Sequence, residues 1–337
     1  MSHTTWHILY RRWRVNRITR RKPLMLKIET TNTCNARCCF CAYGQTKRRR
    51  SILSMELFEK ALEGYTELGG GPVTFTPVVG DVLLDPYLLQ RFARLEAFPA
   101  ITDVSFTTNL IGHERLSAED WAAVLGRLRY LQVSIGGYDA QTYSKMFGVD
   151  AFDVVWEGIH RIAAIRKQIK AGTRLAVTLR TPEVGALLQS EKTELLREIG
   201  YDQISGISSF GNWCGDVESC DMPNQTRINP PVEKMDCCSM PAMFMAVLSD
   251  GRVTGCSCVD HNGILEIGDL SKESLRSIWQ GRLRKDLCLS FRSAKLSRIC
   301  VDCSSYTSLQ IMSGMPFCDR VNAKHLSTAF YDDFGGG

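Results

Sequence analysis

The sequence predicts an α/β fold, with parallel strands alternating with helices and a smaller second domain after them. Two observations carry this expectation. From residue 24 onward, short apolar runs alternate with helix-period segments, punctuated by Pro99, Gly172 and Gly200. After Gly211 the texture changes to Cys, Asn, Pro and Asp, with Asn229, Pro230 and Pro231 reading as a linker.

Candidate strands span 24–29, 73–78, 103–107, Tyr130–Ile135, Arg174–Arg180 and Gln203–Ile207. Helical periodicity falls at 55–68, 87–95, 118–128, 154–170 and Glu191–Ile199. Repeated strand, helix and strand units build a parallel sheet with right-handed crossovers, either an open doubly wound sheet or a partial barrel. Both collect ligands at the C-terminal ends of the strands. The loops there begin near Thr30, Val79, Thr108, Gly136, Thr181 and Ser208. Further on, Asp250-Gly251 between the apolar runs 244–248 and 253–255 is a hairpin signal.

The 337 residues are 44% hydrophobic and 23% charged, enough for a sizeable core. Much of the +5 net charge sits between Tyr10 and Lys22, at Arg11, Arg12, Arg14, Arg17, Arg20 and Arg21. This argues against a nucleic-acid footprint over the whole surface; the segment could hug an anionic membrane or partner, or lie as a solvated helix across the domain edge. No apolar run approaches the roughly 18 residues of a membrane span, and no signal-peptide core is present, so a cytoplasmic protein is expected. Fourteen cysteines in such a chain favour metal or redox chemistry over a disulfide scaffold.

Three of these cysteines, Cys34, Cys38 and Cys41, follow the first strand with three and two residues between them. A short loop can wrap three thiolates around one corner of an iron–sulfur cubane and leave the fourth iron open. A structural zinc ion would need a fourth ligand, Cys39 or a remote residue. The spacing, with Phe40 before the last cysteine and the approach from Leu26 to Thr33, resembles the signature of the radical S-adenosylmethionine (SAM) superfamily. That resemblance implies a partial (β/α)6 barrel of the radical SAM type.

It also implies a set of cofactor contacts. Gly80 and Asp81, in the loop after the second strand, are similar to the motif that holds the methionyl ammonium. Thr108 and Asn109 after the third strand, and Ser134 at the end of the fourth, resemble positions that face the ribose and methionine. Arg180 ends the fifth strand and could clamp the methionyl carboxylate, or instead form a surface ion pair. Asn212 and Trp213, after the sixth strand, could contact substrate or serve as an interdomain packing loop.

Downstream, Cys238, Cys256, Cys300 and Cys303 are separated by seventeen, forty-three and two residues. With Gly251 and the segment around Trp279, this closely resembles the C-terminal auxiliary-cluster domain called SPASM in its long form and twitch in its short form. Leu309 stands where the long form carries another cysteine, so the short form fits better. Four thiolates close a cluster to ligands and suit it to electron transfer, although zinc also accepts such a set. Cys237 is an alternative ligand to Cys238.

On this reading the chain comprises a basic extension (1–22), a core (23–211), a linker and substrate loop (212–231), an auxiliary domain (232–320) and a tail (321–337). The resemblance implies two [4Fe-4S] clusters, S-adenosyl-L-methionine, and an external one-electron reductant such as flavodoxin or ferredoxin. It implies reductive cleavage of S-adenosylmethionine to a 5′-deoxyadenosyl radical that abstracts a substrate hydrogen. The leading expectation is an oxidoreductase, a dehydrogenase that oxidises a sugar- or cyclitol-like alcohol with the auxiliary cluster as electron acceptor. The alternatives are an epimerase using Cys258 or Cys214 as hydrogen donor, a peptide-modifying maturase, and a non-enzymatic iron–sulfur or zinc-binding protein. Each of those two cysteines could also be a small buried residue.

Overall fold

The computed structural model describes residues 3–217, 226–227, 234, 236–293 and 295–314. Six strands, β1 (Met25–Ile28), β2 (Val73–Thr74), β3 (Val104–Thr108), β4 (Tyr130–Ile135), β5 (Arg174–Arg180) and β6 (Gln203–Ile207), lie side by side in chain order. Each neighbouring pair is parallel. A doubly wound sheet reverses its strand order at a switch point, whereas this order never reverses, so the six strands form the arc of a partial barrel.

The helices that precede β6 are α1 (His3–Thr19), α2 (Met55–Glu67), α3 (Leu88–Arg94), α4 (Ala118–Arg127), α5 (Ala140–Phe147), α6 (Phe152–Ile169), α7 (Val184–Leu187) and α8 (Glu191–Ile199). Their starts follow from local chemistry. The Ser54 hydroxyl accepts from the Leu57 N–H at the head of α2, and Ser117 and Asp120 form a reciprocal capping box on α4. Along α2, Phe58, Ala61, Leu62 and Tyr65 recur at helical spacing and are buried. The basic segment forms α1, which buries Val15 and Thr19 and exposes Trp6, Tyr10 and Trp13.

Three of these elements differ from the sequence expectation, β2, α5 and the short α7. The second strand stops at Thr74, where the Thr74 hydroxyl takes the Thr76 N–H at 3.3 Å, and Pro77 beyond has no N–H to donate. The Val78 N–H instead bonds Glu29 Oε2 at 3.2 Å. Helix α5 was not anticipated, although Asp139 accepts from the Thr142 N–H at its start and Gly148 closes it in the left-handed conformation.

A short parallel pair, β7 (Ser209–Phe210) and β8 (Thr226–Arg227), follows β6. Then β9 (Phe244–Val247) pairs parallel with β1, β10 (Arg252–Thr254) returns antiparallel, and β11 (Glu266–Asp269) closes the edge. The Asp250-Gly251 turn is the expected hairpin, but the hairpin extends the core sheet to nine strands. Residues 218–225 and 228–231 of the expected linker, and the tail from 321, lie outside the described residues.

The junction is held at the end of β1 by Glu29, which is fully buried. Its carboxylate receives both terminal nitrogens of Arg48, at 2.6 and 3.0 Å. It also receives the Val78 N–H, the Ser249 N–H and the Ser249 hydroxyl. Arg48 Nε in turn bonds the His261 carbonyl at 2.8 Å. Replacing Glu29 by Ala is expected to cost about 3–5 kcal/mol, because the buried Arg48 loses its counter-charge. Denaturant titration checks this, and a loss below about 1 kcal/mol would contradict the role given to Glu29.

Candidate functional site

The loop carrying Cys34, Cys38 and Cys41 is fixed from two sides. The C-terminal turn of α5 accepts its backbone, with the Arg37 N–H on the Phe147 carbonyl at 2.8 Å and the Cys39 N–H on the Met146 carbonyl at 3.0 Å. The loop after β2 comes equally close, with the Asp81 N–H on the Thr33 carbonyl at 2.8 Å. Gly80 permits that approach, since it has φ +130° and a Cβ there would stand 2.7 Å from the Thr31 carbonyl oxygen.

These loops open onto a cavity of about 270 Å³ at the C-terminal ends of the strands. Cys34, Cys38 and Cys41 line it together with Gly80, Asp81, Thr108, Asn109, Ser134 and Arg180. All six expected cofactor contacts therefore meet the three cysteines in one space. The C-terminal region also contributes to the lining, with Met240, Ser257, Cys258 and Thr307.

Asp81 accepts four hydrogen bonds, two from the Thr108 hydroxyl (2.9 and 3.0 Å), one from the Asn109 N–H (2.7 Å) and one from the Leu83 N–H (3.0 Å). It braces the loop after β3. The Asn109 side-chain amide then donates to Asn35 Oδ1 at 2.8 Å and lies 3.7 Å from the Cys34 sulfur. Arg180 lines the cavity, with Nε 3.5 Å from the Ser134 hydroxyl and its guanidinium 5.4 Å over the Phe40 ring. Phe40 also stacks on Phe210 at 4.9 Å.

Burial, and then the neighbouring thiols Cys41 and Cys34, push the Cys38 thiol well up, with Arg180 opposing. Cys34 is pushed up to about 12, first by burial and then by Asp81. Such thiols stay protonated unless a metal displaces the proton.

Cys238, Cys256, Cys300 and Cys303 line a second, smaller pocket whose other walls are mainly apolar, including Val259, Leu265, Phe291 and Ile299. Burial pushes Cys238 and Cys300 up to about 12. Among the described residues no three Cys, His, Asp or Glu side chains converge on a single-ion position. The first set offers three thiols to the main cavity, and the second offers four to the smaller pocket. Both donor sets fit iron–sulfur clusters, one with an open iron and one fully ligated.

The remaining candidates separate. Cys237 does not line the second pocket, and its thiol interacts with Cys288 instead. Cys258 lines the main cavity, whereas Cys214 does not, its thiol meeting Cys303 beside Cys256 and Cys300. Trp213 lines the cavity and donates from its indole to the Phe40 carbonyl at 2.8 Å. Asn212 is not among the lining residues, because its amide is used on the Asp302 carbonyl and the Cys214 N–H. Cys39 is disulfide-bonded and lines a separate cleft, so its sulfur is not available as a ligand.

Sequence reasoning missed Lys27 and Gln132, which also line the cavity from β1 and β4. A lysine inside the apolar run of β1 was the available signal.

The family model of the radical SAM superfamily matches residues 28–181, and that of the SPASM iron–sulfur cluster-binding domain matches residues 237–304. The chain belongs to the radical SAM superfamily and carries a C-terminal SPASM domain. Its cofactors are accordingly [4Fe-4S] clusters and S-adenosylmethionine.

Among curated relatives it is 33% identical over 149 residues to a probable GTP 3′,8-cyclase of Sulfurisphaera tokodaii, covering 44% of each chain. Across the first three such relatives the match spans 41% to 58% of their length. Among solved structures it is similar to BtrN in complex with AdoMet and 2-DOIA, with TM-score 0.54, 15% identity, and 83% of this chain and 92% of BtrN covered. It is also similar to Streptococcus suis SuiB bound to precursor peptide SuiA, with TM-score 0.59, 14% identity, and 87% and 73% covered. These structural likenesses establish the fold. Among the described residues no helix is long and apolar enough to cross a membrane.

Burial raises the Asp81 carboxyl to about 6, opposed by the N–H groups of Asn109 and Leu83 and by the Thr108 hydroxyl. The folded state therefore holds this proton more tightly than the unfolded chain, whose value lies near 3.9. The stability contributed by protonated Asp81 is complete at low pH and is lost as pH rises from about 4 through about 6. The difference in unfolding free energy between wild type and Asp81→Asn is expected to change by on the order of 3 kcal/mol between pH 4 and pH 7. Parallel pH profiles would contradict this assignment.

Proposed function

We propose that the protein is a dehydrogenase that oxidises an alcohol group of a sugar- or cyclitol-like small molecule. One observation carries this reading. A single cavity is lined both by Cys34, Cys38 and Cys41 and by Ser257 and Cys258, the residues that follow Cys256. A substrate held between them would meet a hydrogen acceptor on one side and an electron acceptor on the other.

When bound, the open cluster and S-adenosylmethionine supply a one-electron cleavage of the cofactor that leads to hydrogen-atom abstraction. The substrate alcohol then gives up one hydrogen atom, one electron and one proton in total and leaves as a ketone. The residues around it orient and enclose it. Thr76, Thr107, Gln132 and Ser134 offer hydroxyl and amide partners, while Phe40, Phe210 and Trp213 provide an apolar wall that limits water.

Among the described residues, Lys27 and Arg180 are the only Lys or Arg side chains in that lining, which suits a hydroxyl-rich ligand better than the triphosphate named in the cyclase relatives. The likeness to BtrN, solved with AdoMet and 2-DOIA, supports a small-molecule substrate. We place the reaction in the cytoplasm, with flavodoxin or ferredoxin as the external reductant.

The position of Cys258 favours one second reading, an epimerase in which its thiol returns hydrogen to the opposite face of the substrate. Turnover in heavy water separates the two. The dehydrogenase product takes no solvent deuterium at the reacting carbon, and Cys258→Ala keeps activity within about threefold. Deuterium in the product, with loss of about a hundredfold or more in Cys258→Ala, would overturn the dehydrogenase reading in favour of the epimerase.

A further inference from the structure

Lys27 stands in the middle of β1, is 9% exposed, and has a role that the cofactor contacts do not explain. Its ammonium donates to the Ser257 carbonyl at 2.6 Å, its one hydrogen-bond partner among the described residues. The carboxylate of Glu29, just past the end of β1, is already occupied by Arg48, Val78 and Ser249. A buried cation without a counter-charge is unfavourable. Burial pushes Lys27 toward its neutral form, and the groups that oppose this are Cys258, Cys256 and Glu29.

Ser257 lies between Cys256 and Cys258, so the ammonium is anchored on the segment that supplies one of the four pocket thiols. Four thiolates around a cluster carry net negative charge, and that charge supplies what Lys27 lacks. Two other cations lie near the pocket, with different attachments. Lys234 bonds the Cys300 and Val301 carbonyls. Arg284 is stacked on Trp279 and bonded to the carbonyls of Pro241 and Ala242. On the cavity side, Arg180 stands over Phe40 of the first cysteine loop, and Lys27 is the cation bonded to the segment that carries Cys256.

We infer that Lys27 is a positioning residue that holds its charge beside the auxiliary cluster and raises that cluster's reduction potential. A fixed cation favours the more negative, reduced state of a cluster. The auxiliary cluster thereby becomes a better acceptor for the electron leaving a substrate in the same cavity. The inference rests on the reading of Cys238, Cys256, Cys300 and Cys303 as cluster ligands.

The test uses the full chain, reconstituted anaerobically as wild type, Lys27→Met, Lys27→Arg and the exposed control Lys167→Met. Iron and sulfide are counted, and both clusters are titrated by redox potentiometry with paramagnetic resonance detection. In Lys27→Met the auxiliary cluster is expected to lose at least tenfold in its reduction equilibrium, a downward shift of about 59 mV for one electron. Lys27→Arg and Lys167→Met stay near wild type, and the cluster at Cys34, Cys38 and Cys41 shifts less.

An intact auxiliary cluster with an unchanged potential in Lys27→Met overturns the inference, as does an equal shift in Lys27→Arg. If Lys27→Met fails to assemble the cluster while Lys27→Arg succeeds, the charge is required and the inference stands. If both fail, it is overturned. A wild type holding only about four irons overturns the ligand reading itself, and is distinguished by the iron count before any potential is measured.

Discussion

The buried carboxylate of Glu29 is the interaction on which the site depends. It ends β1 at the point where the cysteine loop begins, and it ties together Arg48 from the following segment, Val78 from the loop after β2 and Ser249 from the C-terminal hairpin. A carboxylate removed from water is stable only if its lone pairs are filled, and five hydrogen bonds fill them here. Satisfying that charge places β9 beside β1, which brings the segment around Cys256 to the edge of the barrel cavity. The two cysteine sets are thus related by one continuous sheet.

That sheet accounts for the division of labour between the two sets. The thiols of Cys34, Cys38 and Cys41 lie on a loop at the strand ends and line the main cavity. The thiols of Cys238, Cys256, Cys300 and Cys303 face a mostly apolar pocket with little room for anything besides a cluster. Burial holds several of these thiols protonated in the absence of metal, so cluster insertion must expel protons and is coupled to pH. Arg180 and Lys27 bring positive charge to a cavity that would otherwise gather thiolates and Asp81.

Much of this was legible in the sequence because its signals are local. Cysteine spacing announced both ligand sets, the apolar periodicity announced the six strands, and Asp250-Gly251 announced the hairpin. The choice between a doubly wound sheet and a barrel arc depends on strand order, which no local pattern encodes. What escaped depends on contacts between distant residues. Asn212 reads as a substrate contact, yet it braces Asp302, ninety residues away. Cys214 and Cys258 are alike in the sequence, and only the packing turns one toward Cys303 and the other into the cavity. Lys27 reads as an interruption of an apolar strand until its carbonyl partner, Ser257, is seen.

The most direct test of the two-cluster arrangement is the iron and sulfide content of the anaerobically reconstituted chain. It is measured beside a variant with Cys34, Cys38 and Cys41 changed to Ala and another with Cys238 and Cys256 changed to Ala. The arrangement predicts about eight irons in the wild type and about four in each variant, each retaining the spectrum of the other cluster. About four irons in the wild type, with no further loss in the Cys238 and Cys256 variant, would contradict it and remove the electron acceptor from the proposed oxidation.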